Sequence, residues 1–171
     1  MLDVLKAAGR TLKELLLDED GWNSLRVDYN HPYVDRLWRQ YDRDHRILLH
    51  KIYPCETEEA LLHPHPWPSA VRVFGPGGYE TGIGFGDPAG EPPPIAAKFV
   101  LKTFSSYEMT VEDSWHYVRP LRGPIYTMMV VGRPFDVPKQ DRFGQLRAHT
   151  QLDDAARQTL FKFFRRLAGV L

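Results

Sequence analysis

Residues 61–82 read Leu-Leu-His-Pro-His-Pro-Trp-Pro-Ser-Ala-Val-Arg-Val-Phe-Gly-Pro-Gly-Gly-Tyr-Glu-Thr-Gly. His63 and His65 stand two positions apart, and on an extended chain residues i and i+2 point to the same face. Pro64, Pro66 and Pro68 occupy the opposite parity and carry no backbone N–H. One edge of this segment therefore cannot donate to a ladder, which places it at a sheet edge or a barrel mouth. The proline rings also fix φ near its extended value, so holding the histidines in place costs less conformational entropy. Two imidazoles preorganised toward one point imply a metal site. Beyond them lie the apolar Val71-Arg72-Val73-Phe74 and the turn Gly75-Pro76-Gly77-Gly78.

The His-Pro-His-Pro-Trp run through Gly77-Gly78-Tyr79-Glu80, followed by Trp115-His116 at the head of a later β-like segment, resembles the two motifs of the cupins. The likeness is to small single-domain metal-binding cupins of the His-x-His-Pro-Trp type and spans residues 45–135. It implies a mainly β fold, an antiparallel jelly-roll barrel (double-stranded β-helix). It also implies one divalent metal ion, with His116 as a third ligand beside His63 and His65. The family's glutamate follows the second histidine by four or five positions, where this chain has Ser69 and Ala70. Its second motif has proline and glycine where this chain has Val111 and Asp113. A fourth ligand or outer support is left to Glu80, on the next strand, or to His50.

Three imidazoles without a carboxylate resemble the sites of cupin thiol dioxygenases and diketone-cleaving dioxygenases, which use Fe(II). With Glu80 added, iron, manganese, nickel or zinc all fit the family's range. The expected function is a mononuclear Fe(II) dioxygenase of small molecules. The alternatives are a ligand-binding cupin without turnover and a non-redox metal isomerase or lyase. A homodimer is expected by resemblance alone.

The chain has 171 residues, enough for one domain with a sizeable core. Its 22 Lys and Arg balance its 22 Asp and Glu, so nucleic acid is not an expected partner. A single cysteine, Cys55, fits a reducing compartment. The N-terminus alternates leucine with charge and lacks the apolar run of a signal peptide or membrane span, so a cytoplasmic location is expected. Cys55 lies in an acidic stretch that blunts it as a nucleophile, and neither a phosphate loop nor a Gly-x-Ser-x-Gly elbow occurs.

Outside the barrel, Leu2, Leu5, Ala8, Leu12 and Leu15 or Leu16 predict a first helix, ended by Gly21. After the turn Asp28-Tyr29-Asn30-His31-Pro32, the spacing of Val34, Leu37, Trp38 and Tyr41 predicts a short helix, making residues 1–44 a helical segment. Arg46 to Tyr53 reads as the first barrel strand, with His50 on its apolar side. Tyr79 to Phe85 is expected to return antiparallel to the metal-motif strand. The proline-rich 86–94 stretch reads as a stiff loop at the barrel rim. Ala96 to Phe104, Tyr107 to Val111 and Trp115 to Arg119 read as further extended segments. Ile125 to Val131 reads as a strand buried on both faces. Residues 139–150 carry no clear pattern. A last helix over about 153–170 is capped by Asp153 or Asp154, with Leu160, Phe164, Leu167 and Leu171 on one face. Trp67, Tyr107 and Tyr126 are the candidate pocket wall, and Arg46, Arg72 and Arg119 are candidate anchors for an anionic substrate.

Overall fold

The computed structural model describes residues 1–136 and 150–169. The chain runs through α1 (Leu2–Leu17), β1 (Asn23–Val27), β2 (Val34–Gln40), β3 (Arg46–Ile52) and a single 3₁₀ turn at Thr57–Glu59. It continues through β4 (His63–Pro64), β5 (Ser69–Phe74), β6 (Tyr79–Phe85), β7 (Ala97–Leu101) and β8 (Ser106–Met109). Then come β9 (Ser114–Pro120), β10 (Ile125–Val131) and α2 (Asp154–Leu167). Two antiparallel sheets result, one ordered β1-β2-β3-β10-β5-β8 and the other β4-β9-β6-β7. This is the double-sheet jelly-roll architecture, with a helix at each end of the chain.

Strand alternation sorts the larger sheet into two faces. Its outer face carries Leu37, Ile47, Leu49, Ala70, Phe74, Met128 and Val130, packed with Leu5, Ala8, Leu12 and Leu16 of α1 and Leu160, Phe161 and Phe164 of α2. The apolar spacing of each helix thus meets an apolar sheet, and each leucine buried there contributes roughly 1.5–3 kcal/mol. The C-terminal carbonyls of α1 lack helical partners, so side chains supply the donors. Trp22 Nε1 and Arg39 Nη1 donate to Leu15 O, and Arg165 donates to Leu16 O. α2 begins as expected, with the Asp153 side chain accepting from Ala156 N at 2.7 Å. The inner face holds Leu48, Val71, Met129 and Val131 beside Trp38, Trp67 and Tyr107, then Ile52, Val73 and Ile125, which pack against Tyr79 of the smaller sheet.

Three expectations are corrected. The segment expected as a helix from Tyr33 to Tyr41 holds β2 (Val34–Gln40) instead, so residues 1–44 are not wholly helical and the sheets begin at Asn23, ahead of residue 45. The helical spacing of Val34, Leu37, Trp38 and Tyr41 coexists with an alternation in which Leu37 faces the helices and Trp38 the interior. Pairing of β2 with both β1 and β3 decides between them. Asp35 and Arg39 hid the alternation, because their charges are satisfied locally by Arg26 and by Asp18. Second, the metal-motif segment is not one strand. β4 lies in the smaller sheet and β5 in the larger, the chain crossing between them at Pro66–Pro68. Third, β6 does not pair with β5 but with β7 and β9. Gly75, Gly77 and Gly78 all have positive φ, and a Cβ on Gly78 would stand 2.3 Å from Leu101 O, so glycine alone permits this crossing. The unpatterned residues 139–149 and Leu171 lie outside the described residues.

Candidate metal centre

β4 is the outermost strand of the smaller sheet, where prolines on one parity do no harm. It pairs with β9 so that His63 lies directly opposite His116. Cross-strand partners share a face, and His65 follows His63 on the same parity. The three rings accordingly meet, with centroids 4.8 Å apart for His63–His116, 4.4 Å for His65–His116 and 5.1 Å for His63–His65. One nitrogen of each lies within 4.8 Å of the others, and His63 Nε2 is 3.3 Å from His65 Nε2. Ligand atoms about 2.1 Å from a shared ion stand about 3.0–3.4 Å apart in octahedral or tetrahedral arrangements. The His63–His65 separation matches that spacing, and three imidazole donors suit a transition-metal ion of borderline softness.

Outer contacts orient two of the rings. His63 Nδ1 lies 3.0 Å from Leu61 O, so it carries the proton and leaves Nε2 as a lone pair. His116 Nδ1 lies 3.2 Å from the Tyr107 hydroxyl, which in turn accepts from the Tyr79 hydroxyl at 3.0 Å. Burial pushes all three imidazoles below their usual pKa. For His65 and His116 neighbouring imidazoles deepen the shift, and for His63 and His65 the Arg36 charge does. Three neutral, convergent imidazoles are the state a metal requires. His63 and His65 are only half-buried, so the cluster opens to solvent on the β4 side.

The remaining expected residues are dispersed. His50 is buried on β3 outside the three-histidine group, held by the Arg36 Nε donor at 2.9 Å and by Thr127 Oγ1 at 3.0 Å. Glu80 faces away from the interior on β6. Its carboxylate accepts from the Tyr117 hydroxyl at 2.8 Å and pairs with Arg119 at 3.5 Å, contacts that hold its pKa below the usual range. Neither residue stands at the centre. Trp67 and Tyr107 do line the interior. Tyr126 does not: β10 parity turns it toward α2, where it stacks on Phe163 with centroids 3.6 Å apart. Arg119 is committed to Glu80, and Arg72 Nε donates to Ser106 Oγ at 3.1 Å. Arg46 stays on the interior side, its guanidinium 5.3 Å from the Trp67 ring centroid. Arg36 was missed because β2 read as a helix; period-two alternation with Trp38 was the signal for it. Surface clefts of about 310 Å³ along α2 and about 420 Å³ beside Val111 and Phe135 lie apart from the histidines.

Two facing antiparallel sheets, with histidines from an edge strand and from the strand beside it directed inward, define a cupin-type barrel with a three-histidine centre. The chain is similar in structure to hydroxypropylphosphonic acid epoxidase from S. wedmorenis, with TM-score 0.50 and 17% identity over 66% of this chain and 56% of that one. An Fe(II) form of HppE gives TM-score 0.51 and 16% identity, covering 66% and 57%. A cupin 2 conserved barrel domain protein from Rhodopseudomonas palustris gives TM-score 0.48 and 15% identity, covering 68% and 75%. The chain thus spans little more than half the length of the epoxidase, and at these identities the likeness concerns the fold. No protein-family model matches the sequence, and no curated protein does.

Proposed function

We propose that this protein is a metal-dependent enzyme of small molecules, a mononuclear Fe(II) dioxygenase whose ion is held by His63, His65 and His116. The observation that carries the reading is the convergence of three neutral imidazoles with no carboxylate in the group among the described residues. Likeness in fold to HppE, whose Fe(II) form is a solved structure, supports the choice of iron. When bound, the ion supplies Lewis acidity and, as Fe(II), electrons for dioxygen chemistry.

The chain's own residues position and enclose. Leu61 O and the Tyr107 hydroxyl fix two ring orientations, while Trp38, Trp67, Met129 and Val131 form an apolar wall that keeps water from the interior. Cytoplasmic location and a homodimer belong to the same reading. No helix among the described residues is long and apolar enough to cross a membrane.

Elemental analysis of protein purified without added metal, beside a His63→Ala variant, tests it. Near-stoichiometric iron in the wild type, lost in the variant, followed by oxygen uptake with a screened substrate, is the expected result. Zinc, nickel or manganese without oxygen uptake would replace it with a non-redox isomerase or lyase. No metal even after reconstitution with Fe(II) would leave a ligand-binding barrel.

A further inference from the structure

We propose that the small molecule acted on carries an oxyanion head group, a carboxylate or phosphonate, and that Arg36 is the residue that grips it. This deepens the reading above and rests on the three-histidine centre being the place of chemistry. Arg36 lies on β2 in register with His50, on the same side of the strand as Trp38. Its Nε donates to His50 Nε2 at 2.9 Å, and His50 Nδ1 meets Thr127 Oγ1 at 3.0 Å. Arg36, His50 and Thr127 therefore form one inward row across β2, β3 and β10, which fixes the guanidinium plane. Among the described residues the Arg36 side chain makes this one hydrogen bond, through Nε, which leaves its two terminal nitrogens open to a ligand.

Arg36 also lacks a carboxylate partner among the described residues. Arg26, Arg39, Arg119, Arg133, Arg157 and Arg165 each pair with a carboxylate, whereas no carboxylate among the described residues pairs with Arg36. Burial lowers the Arg36 pKa to about 10, with Tyr29 opposing the shift and repulsion from Arg46 adding to it. Trp38, on the same face of β2, packs in one cluster with Trp67, whose ring centroid lies 6.4 Å from that of His65, so this face of β2 borders the proposed chemistry. Withdrawing a half-buried cation from water without an anionic partner is unfavourable. A ligand that brings the anion removes that cost on binding. Trp67 Nε1, buried without an acceptor among the described residues, adds a donor on the wall where Arg46 lies. A guanidinium presents parallel N–H groups that match the two oxygens of a carboxylate or phosphonate.

The test is a titration of the full chain, as purified and again after chelator treatment, with propionate, methylphosphonate and neutral propionamide. Binding is read by calorimetry and by the Arg36 Nε–H resonance. Saturable binding of at least one anion, with a shift of that resonance, at least tenfold weaker for propionamide and for Arg36→Gln and retained after chelation, is expected. Whichever of propionate and methylphosphonate binds tighter identifies the head group. Equal binding of propionate and propionamide to the wild type would overturn the proposal without recourse to any variant. So would binding by Arg36→Gln equal to the wild type, or anion binding that vanishes with the metal. A protein that holds no metal in elemental analysis yet passes this titration would sink the enzyme reading and leave the anion site in place.

Discussion

Tyr107 is the residue whose removal separates the site from the fold most cleanly. Its ring packs inside the barrel, while its hydroxyl joins His116 Nδ1 to the Tyr79 hydroxyl. Burial holds the Tyr107 hydroxyl up at about 12 and Tyr79 well above its usual value, so both stay protonated and serve as hydrogen-bond partners. Tyr107→Phe keeps the ring and leaves His116 Nδ1 unpaired. Loss of such an outer partner typically weakens metal binding about 10- to 100-fold. A competition titration with a chromophoric chelator should read that loss in Tyr107→Phe and a smaller one in Tyr79→Phe; unchanged affinity in Tyr107→Phe would mean the hydroxyl does not orient the ring. At this scale the sequence was uneven. His63 and His65 were legible from i, i+2 spacing, because convergence of neighbours is local. His116 needed the motif resemblance, since only the pairing of β4 with β9 brings it opposite His63. Glu80 was a reasonable candidate by distance along the chain, but strand parity places it outside, against Arg119.

Among the elements, the helices were the most legible and β2 the least, for one physical reason. α1 and α2 each bury one apolar stripe on a sheet, so their pattern is single and periodic. β2 is sandwiched, with Leu37 facing the helices and Arg36 and Trp38 facing the interior, and its buried charges imitate a surface. The break between β4 and β5 was equally hidden, because three prolines stiffen a strand and a sheet-to-sheet corner alike. The helices' role is structural, and a single residue tests it. Phe164 is 0% exposed and meets Phe74 and Tyr126 of the larger sheet edge-on, at 6.2 and 6.1 Å between centroids. Phe164→Ala should cost about 3–5 kcal/mol in chemical denaturation. Because the contact lies on the outer face, metal content of the folded variant should match the wild type. A variant that loses metal while folded would show that the helix layer also holds the site in shape.

Over the whole molecule, two sheets enclose titratable groups that folding keeps neutral, and this gives the metal-free protein a characteristic response to acid. His50 and His116 are each 5% exposed, and burial pushes both well below the usual histidine pKa. Arg36 adds to the shift of His50, and His65 and His63 to that of His116. The native state therefore refuses protons that the unfolded chain accepts near its ordinary value of about 6.5. A group with a depressed native pKa binds more protons unfolded than folded, so stability is fully present above that pH and declines as pH falls below it. Each such group contributes a slope of up to about 1.4 kcal/mol per pH unit in that window. Urea midpoints of the chelator-treated protein should be flat from pH 8 to 7 and fall steeply from pH 6.5 to 5. In His50→Gln, whose amide can still accept from Arg36 and donate to Thr127, the slope below pH 6.5 should shrink by one group's share. If wild type and variant show the same slope, His50 is not held neutral by the barrel, and the inward row that fixes the Arg36 guanidinium loses its physical basis.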